Sequence, residues 1–378
     1  MATPPARSQV YLVPGFFGFA RMETLTYFQG VAEALGGALR ERGVEAEIIE
    51  CCTQPTASIR RRADHLVDVV RESGGLEAEA LHFVGHSTGG LDVRLLTTPG
   101  VRLRPEKIEV AIAERTRSIV TVATPHFGTP LAGFFTTLLG RQLLELLAVL
   151  ATSWGGRLGL VVAAQLLTLV ARADDLIGRE ETLLDSLSRS LLSQVTHDEE
   201  GALWHYLRDV ASDQGAVVQL MPEAMHLFNA AVTDDPRIHY ASLVTAAPPP
   251  PAAYRRDHLF SLTRASLAGG FTLLHTLAAR EHRHYPYPHP GEEMLRAFAD
   301  ALPFPLSARS NDGIVPTWSQ MYGELLDVVV ADHLDVVGQY HREDQPYGDW
   351  LPSGSRFDAE RFHHVWGRVA DAVAKASG

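Results

Sequence analysis

The most informative segment of this chain is Leu81-His82-Phe83-Val84-Gly85-His86-Ser87-Thr88-Gly89-Gly90. A short apolar run typical of a buried strand leads into the pattern G-x-S-x-G, and the leucines after it follow a helical spacing. Strand, tight turn and helix in this order are the context of a nucleophile elbow. Glycine suits Gly85 and Gly89, because a side chain there would collide with the neighbouring strand and helix. The pattern predicts that Ser87 is a nucleophile. So short a pattern also occurs by chance, so the prediction depends on whether the chain offers a base and an acid for Ser87.

Composition excludes several classes of protein. The chain has 378 residues, is 46% hydrophobic and carries a formal net charge of −12, so it can bury a sizeable core but lacks the basic face that nucleic acid requires. The basic triplet Arg60-Arg61-Arg62 is expected to be a solvated helix start. Cys51 and Cys52 are adjacent and poorly placed to bridge distant elements, so no disulfide framework is expected. The sequence does not indicate an oligomeric state.

Neither the start of the chain nor its apolar stretches predict a membrane or secretion signal. Residues 1–8 lack a charged region followed by an apolar one. The apolar stretches 131–139 and 158–171 are shorter than the ~18 residues that a membrane-spanning helix needs. A cytoplasmic location is therefore the default expectation, unless a leader has been removed.

Predicted strands and helices alternate along most of the chain. Strands are predicted at 10–13, 46–50, 81–84, 118–123, 238–244 and 325–330. This alternation indicates βαβ crossovers and an α/β fold with a mostly parallel central sheet flanked by helices, whose ligands bind at the carboxyl ends of the strands. Between 131 and 223 the sequence becomes leucine-rich and helical, which predicts a large helical insertion. The core then comprises 1–130 and 224–378, with a second helical insertion at about 252–300.

A serine hydroxyl is a weak nucleophile until a base takes its proton and a carboxylate orients that base. His333 follows the predicted strand 325–330 and so lies at a carboxyl end, which makes it the expected base. Asp312 in Asn311-Asp312-Gly313 is the favoured acid, although these three residues also suit a plain turn. Asp332 is the alternative, but it would have to fold back on its neighbour to reach the imidazole.

A tetrahedral intermediate needs two preorganised backbone donors for its oxyanion. We expect them to be the N–H groups of Thr88, directly after the serine, and of Phe16, in the loop after the first strand. Gly15 lets that loop approach the substrate closely. The side chains of Phe16 and its neighbour Phe17 suit an ordinary core equally well. Three residues are expected to contact substrate: Phe17, His86 and Leu131.

Taken together, these residues resemble the bacterial triacylglycerol lipases and carboxylesterases of the α/β-hydrolase fold. The matching blocks occur in the family's order and are 12–16, 84–90, 122–129, 311–315 and 332–335. The resemblance implies a triad of Ser87, Asp312 and His333, an oxyanion hole from Phe16 and Thr88, and a mobile helical lid after the block Thr124-Pro125-His126.

The resemblance also bears on cofactors. No redox or organic cofactor is implied. Asp335, two residues past the expected base, corresponds to a ligand of structural calcium in relatives, although solvation or a helix cap explains a single carboxylate as well. Two features depart from the family: Pro14-Gly15 stands where His-Gly is usual, and the zinc ligands of the thermostable branch have no match.

The resulting hypothesis is a serine hydrolase, lipase or esterase, that cleaves carboxylic esters through an acyl-enzyme intermediate. A thioesterase, an amidase or a polyester hydrolase would use the same residues, because the fold and triad specify acyl transfer and not the leaving group. A non-catalytic binding protein is disfavoured because all three triad positions are intact. The leucines of the insertion suit a lipid ester substrate and contact with a lipid interface, or simply packing against the core.

Overall fold

Six parallel strands form the central sheet of the computed structural model, which describes residues 8–16, 21–22, 25–137, 213–250, 262–282, 284–342, 349 and 351–377. The strands of this sheet are β1 (Ser8–Val13), β4 (Ala46–Glu50), β5 (Ala80–His86), β6 (Thr116–Val122), β7 (His239–Ala246) and β8 (Glu324–Val330). Their order is β4-β1-β5-β6-β7-β8, and every pair is parallel. The predicted α/β fold with a mostly parallel sheet is therefore confirmed.

Helices cover both faces of this sheet. Those described are α1 (Val31–Glu41), α2 (Ile59–Glu72), α3 (Thr88–Leu96), α4 (Ile108–Arg115), α5 (Pro130–Phe135), α6 (Gly215–Gln219), α7 (Pro222–Ala231), α8 (Leu262–Ala278), α9 (Glu292–Ala301) and α10 (Ala359–Ser377). Because successive side chains of a strand point to opposite faces, Val10 and Leu12 pack with α1 and α10, whereas Tyr11 and Val13 pack with α2 and α3. The sheet is thus buried on both sides, as parallel sheets require.

The sequence did not predict every element. A two-stranded antiparallel pair, β2 (Arg21–Met22) and β3 (Leu25–Thr26), precedes α1, and its strands are too short to show a periodicity. Two 3-10 turns, Thr317–Gln320 and Asp335–Val337, lie on either side of β8. Both turns contribute contacts to the candidate site described below.

Most of the large predicted insertion lies outside the described residues. Its ends are described as α5, α6 and the start of α7, whereas 138–212 is not, so the helical lid and the division into core and insertion stay predictions. The second predicted insertion contains α8 and α9, with 251–261 outside the described ranges. Of the helices in the described part of the chain, none is both long and apolar enough to cross a membrane. The apolar stretch 158–171 lies outside that part.

The junction of β1, β5 and α3 is so close that two glycines are sterically required. A Cβ atom on Gly85 would overlap the backbone of Gly90 at the start of α3. One on Gly89 would overlap the carbonyl group of Val13 and lie 2.8 Å from the carbonyl oxygen of Pro14. The collisions expected from the sequence are therefore confirmed, with the helix at Gly85 and with the end of β1 at Gly89.

Replacing a helical glycine by alanine should have opposite effects on stability at Gly89, which is tightly packed, and at Gly37, which is not. Gly89→Ala should lower the free energy of unfolding by about 3 kcal/mol or more, because the backbone it meets cannot move aside. Gly37→Ala, in α1 with nothing within 4 Å of the added Cβ, should raise it by about 0.5–1 kcal/mol through helix propensity. Urea unfolding followed by circular dichroism measures both. A Gly89→Ala protein as stable as the unmodified one would contradict the close packing.

Candidate active site

Ser87 occupies the sharp turn between β5 and α3. Its backbone has φ 54° and ψ −130°, a region that non-glycine residues rarely adopt. The Ser87 N–H donates to the carbonyl oxygen of Val122, at the end of the next strand, at 2.9 Å. Backbone strain of this kind persists only where the surroundings impose it, and it clusters at functional sites. The turn places Ser87, 6% exposed, at the carboxyl end of a central strand.

Asp312 and His333 are joined by their side chains and their backbones. His333 Nδ1 lies 2.8 Å from Asp312 Oδ2, and the His333 N–H donates to the carbonyl oxygen of Asp312 at 3.0 Å. A carboxylate oxygen only accepts, so Nδ1 carries the hydrogen and Nε2 keeps its lone pair. The imidazole is thereby held in the tautomer that a general base needs.

Five donors converge on the Asp312 carboxylate. Besides His333, Oδ1 accepts from the N–H groups of Ile314 at 3.0 Å and Val315 at 2.7 Å. Oδ2 accepts from Thr245 Oγ1 at 2.8 Å and Gln320 Nε2 at 3.2 Å. Donors in this number hold a carboxylate in one orientation. The sequence did not predict the roles of Thr245 and Gln320. Neither belongs to a motif, and Thr245 is 67 residues from Asp312.

Asp332, the alternative acid, makes a different set of contacts. Its Oδ1 accepts from the N–H groups of Leu334 at 3.0 Å and Asp335 at 3.1 Å, and its Oδ2 accepts from Ser353 Oγ at 2.9 Å. Burial raises the pKa of Asp332 well above its usual value, and the nearby carboxyl groups of Asp335 and Asp349 raise it further. A carboxyl group with a raised pKa is a poorer partner for an imidazolium. The geometry favours Asp312.

The loop after β1 passes directly over Ser87. A Cβ atom on Gly15 would lie 2.5 Å from Ser87 Cβ and 3.0 Å from Ser87 Oγ, so only glycine allows this approach. Phe16 follows it and packs its side chain against an apolar cluster that includes Ile59 and Leu91. Thr88 is the first residue of α3, where backbone N–H groups lack helical partners. The oxyanion-hole roles of Phe16 and Thr88 stay predictions.

Arg62 binds the backbone of this loop. The expectation that Arg62 is solvated was wrong. Its side chain is fully buried and forms an ion pair with Asp92 of α3, at 2.8 Å. Arg62 Nη2 donates to the carbonyl oxygens of Pro14 at 2.7 Å and Gly15 at 3.2 Å. A buried guanidinium is tolerated because it is paired and hydrogen-bonded. The run of three arginines could not reveal this, since Arg61 beside it is exposed.

The three residues expected to contact substrate have different surroundings. His86 is 1% exposed, and both of its ring nitrogens bond within the protein, to Tyr27 Oη at 2.7 Å and to the carbonyl oxygen of His333 at 2.9 Å. Both ring nitrogens are thus engaged within the protein, and contact between His86 and substrate stays a prediction. Leu131 is 2% exposed and belongs to an apolar cluster with Leu274 of α8, so its contact with substrate stays a prediction. Phe17 lies outside the described residues.

Of the three expected triad residues, the structure joins Asp312 and His333 directly. Ser87 is linked to that pair through its neighbour His86, whose ring centroid lies 4.7 Å from that of His333. Among the described contacts, none joins the Ser87 hydroxyl to the His333 ring. Catalytic hydrogen bonds of this kind are often loose without substrate, so the transfer of a proton between the two belongs to the proposal below.

Asp335, the candidate calcium ligand, is buried in the loop that follows His333. Its Oδ2 accepts from the Asp332 N–H at 2.9 Å and from Ser355 Oγ at 2.8 Å. Burial and the Asp349 carboxyl group raise its pKa to about 7. Within the described ranges, no group of three or more His, Cys, Asp or Glu residues is arranged to hold a metal ion. The described contacts assign Asp335 to holding this loop, and calcium stays a prediction on which no step below depends.

Comparison with known proteins gives a clear result for the fold. No family model and no curated protein matches the sequence. Solved structures do match over nearly the whole chain. Lipase 1 from Pelosinus fermentans is 17% identical with a TM-score of 0.52, and the match covers 98% of this chain and 99% of that one.

Two further structures match in the same way. Staphylococcus hyicus lipase is 15% identical with a TM-score of 0.51, covering 99% of this chain and 97% of that one. EstA from Clostridium botulinum is 19% identical with a TM-score of 0.50, covering 94% and 88%. At such low identity the likeness establishes architecture. Together with the parallel sheet and the turn at Ser87, it shows that this chain has the α/β-hydrolase fold.

Proposed function

We propose that this protein is a serine hydrolase that cleaves carboxylic esters through an acyl-enzyme intermediate. The observation that carries the proposal is the Asp312–His333 pair at the same edge of the sheet as the strained turn of Ser87. The names of two structures similar in fold, the lipases of Pelosinus fermentans and Staphylococcus hyicus, support ester hydrolysis in general. The roles of individual residues rest on geometry and chemistry.

In the proposed acylation, Ser87 Oγ attacks the ester carbonyl carbon while its proton passes to His333 Nε2. Asp312 stabilises the imidazolium that forms, because its Oδ2 already accepts the Nδ1 hydrogen. The negative charge on the carbonyl oxygen is stabilised by the N–H groups of Phe16 and Thr88, with the positive end of the α3 dipole behind Thr88. The imidazolium then protonates the departing alcohol.

Deacylation in this proposal repeats the same steps with water. His333 Nε2 takes a proton from a water molecule, the resulting hydroxyl attacks the acyl carbon, and the acid leaves as Ser87 regains its proton. No cofactor takes part. The chemistry requires only that Asp312 remains ionised and that the backbone donors keep their positions.

The substrate class that we propose is an ester of an apolar acid. Leu131 at the start of α5 packs with Leu274 and Leu277 of α8 in a buried apolar cluster, so the region after the block Thr124-Pro125-His126 is apolar. The leucine-rich sequence of the proposed lid at 131–223 suits contact with acyl chains and lipid interfaces. Thioesters and amides present the same acyl carbon, so they are the alternatives that an assay must compare.

The nucleophile is tested by hydrolysis of p-nitrophenyl esters from acetate to palmitate, with Ser87→Ala beside the unmodified protein. The unmodified protein should turn over, fastest with the longer acyl chains, and Ser87→Ala should lower kcat by about 10⁶-fold, because it removes the attacking atom. Retention of ester hydrolysis in a folded Ser87→Ala protein would overturn the nucleophile assignment. Turnover restricted to acetate would contradict the proposed apolar substrate.

The two candidate acids are separated by Asp312→Asn and Asp332→Asn. Asp312→Asn should lower kcat by about 10³- to 10⁴-fold, since an amide no longer holds the Nδ1–H tautomer or stabilises the imidazolium. Asp332→Asn should change kcat by less than about fivefold, because the Asp332 carboxyl group bonds Ser353 and the backbone of its own loop rather than the His333 ring. Steady-state kinetics normalised to titrated Ser87 measure both. Equal losses in the two variants would contradict the assignment.

A further inference from the structure

A chain of buried hydrogen bonds connects the loop over Ser87 to the backbone of His333. The Gly15 N–H donates to Tyr27 Oη at 2.9 Å. Tyr27 Oη lies 2.7 Å from His86 Nδ1, and His86 Nε2 lies 2.9 Å from the carbonyl oxygen of His333. The four residues are distant in sequence, so the contact between them is a product of the fold.

The direction of each hydrogen bond follows from chemistry. A carbonyl oxygen only accepts, so His86 Nε2 carries a hydrogen and donates it to His333. Burial lowers the pKa of His86 well below its usual value, so the ring is neutral and Nδ1 is an acceptor. The Tyr27 hydroxyl therefore donates to Nδ1 and accepts from Gly15. Each hydrogen bond of this chain therefore runs in one direction.

One end of this chain holds the loop that carries the proposed oxyanion donor. Gly15 directly precedes Phe16, and Tyr27 fixes the Gly15 N–H while Arg62 fixes the carbonyl oxygens of Pro14 and Gly15. The peptide groups before Phe16 are thus bound from two sides. The Gly15 N–H is committed to Tyr27, and the N–H that the proposed function assigns to the oxyanion is the next one, that of Phe16.

The other end holds the proposed base. The His333 backbone is bound by its N–H to the carbonyl oxygen of Asp312 and by its carbonyl oxygen to His86 Nε2. The ring is bound by Asp312 Oδ2. Removing His86 would release one side of this backbone and leave the ring attached to a looser support.

We propose that Tyr27 and His86 are positioning residues that hold the oxyanion loop and His333 at a fixed distance from each other across Ser87. The inference rests on the proposed function, since it concerns the geometry of acyl transfer. The proposal requires neither side chain to touch the substrate. Both act through the residues that do, so their loss should slow the chemical step and leave substrate binding nearly unchanged.

Tyr27→Phe tests this inference with Tyr11→Phe as a matched control. Tyr11 is also buried, and its hydroxyl bonds Gln9 Oε1 at 2.8 Å and Ser73 Oγ at 2.7 Å, away from the site. Tyr27→Phe should lower kcat by about 10- to 100-fold with KM within about threefold, as expected for a small displacement of catalytic groups. Tyr11→Phe should keep kcat and KM within about twofold, whatever its effect on stability.

Two variants of His86 test whether restoring its hydrogen bonds restores kcat. His86→Gln offers a carbonyl oxygen to the Tyr27 hydroxyl and an amide hydrogen to His333, whereas His86→Leu offers neither. His86→Gln should therefore retain at least about tenfold more kcat than His86→Leu. The double variant Tyr27→Phe/His86→Leu should lose little more than His86→Leu alone, because the two residues act through one chain of bonds. Additive losses would mean that they act separately and would overturn the coupling.

A second readout distinguishes the failure of this inference from the failure of the proposed function. The rate at which a fluorophosphonate labels Ser87 depends on the serine, the base and the oxyanion donors, and it needs no ester substrate. Slower labelling of Tyr27→Phe than of Tyr11→Phe supports the inference even if the unmodified protein hydrolyses no carboxylic ester, a result that would defeat only the proposed function. Equal labelling rates overturn the inference, and absence of labelling in the unmodified protein overturns both.

Discussion

The turn at Ser87 has almost no free space around it, and this close packing sets the positions of the other groups at the site. β1, β5 and α3 meet so closely that a Cβ atom at Gly15, Gly85 or Gly89 would overlap its neighbours, at Gly15 the Ser87 side chain itself. The same packing imposes a positive φ on Ser87, which costs about 1–3 kcal/mol and is offset by the parallel sheet on both sides. Because these elements cannot separate, the serine has one position, and other groups can be placed relative to it.

Buried polar groups complete that placement. Asp312 with its five donors, Arg62 with its carboxylate and carbonyl partners, and the Tyr27–His86 chain each satisfy groups that would otherwise be costly to bury. A satisfied polar group in a low-dielectric interior resists displacement, because every alternative arrangement leaves a donor or acceptor unpaired. The hydrophobic core therefore holds the sheet together, while these hydrogen bonds determine where the loops at its carboxyl edge lie.

Local patterns predicted the architecture well and the support of the site poorly. The sheet strands show as short apolar runs, and the strand predicted at 46–50 coincides with β4. The choice of Asp312 over Asp332 followed from the geometric difficulty of an adjacent residue folding back, and the contacts favour it. Arg62 was wrongly expected to be solvated, and the buried hydrogen bonds of His86 were not predicted, because a charged or polar residue carries no local sign of burial. Asp92, the partner of Arg62, lies 30 residues from it, and Tyr27, a partner of His86, lies 59 residues from it.

Local sequence specifies the alternation of strands and helices, the glycines of the turn and the residue types that can attack, accept a proton and orient a base. These depend on periodicity, backbone freedom and side-chain chemistry, which neighbouring residues reveal. The folded structure adds which acid meets His333, which tautomer His333 holds, and the hydrogen bonds by which Tyr27 and His86 join Gly15 to the His333 backbone. Those are contacts between residues up to 247 positions apart, and they exist only once the sheet has brought its strand ends to one edge.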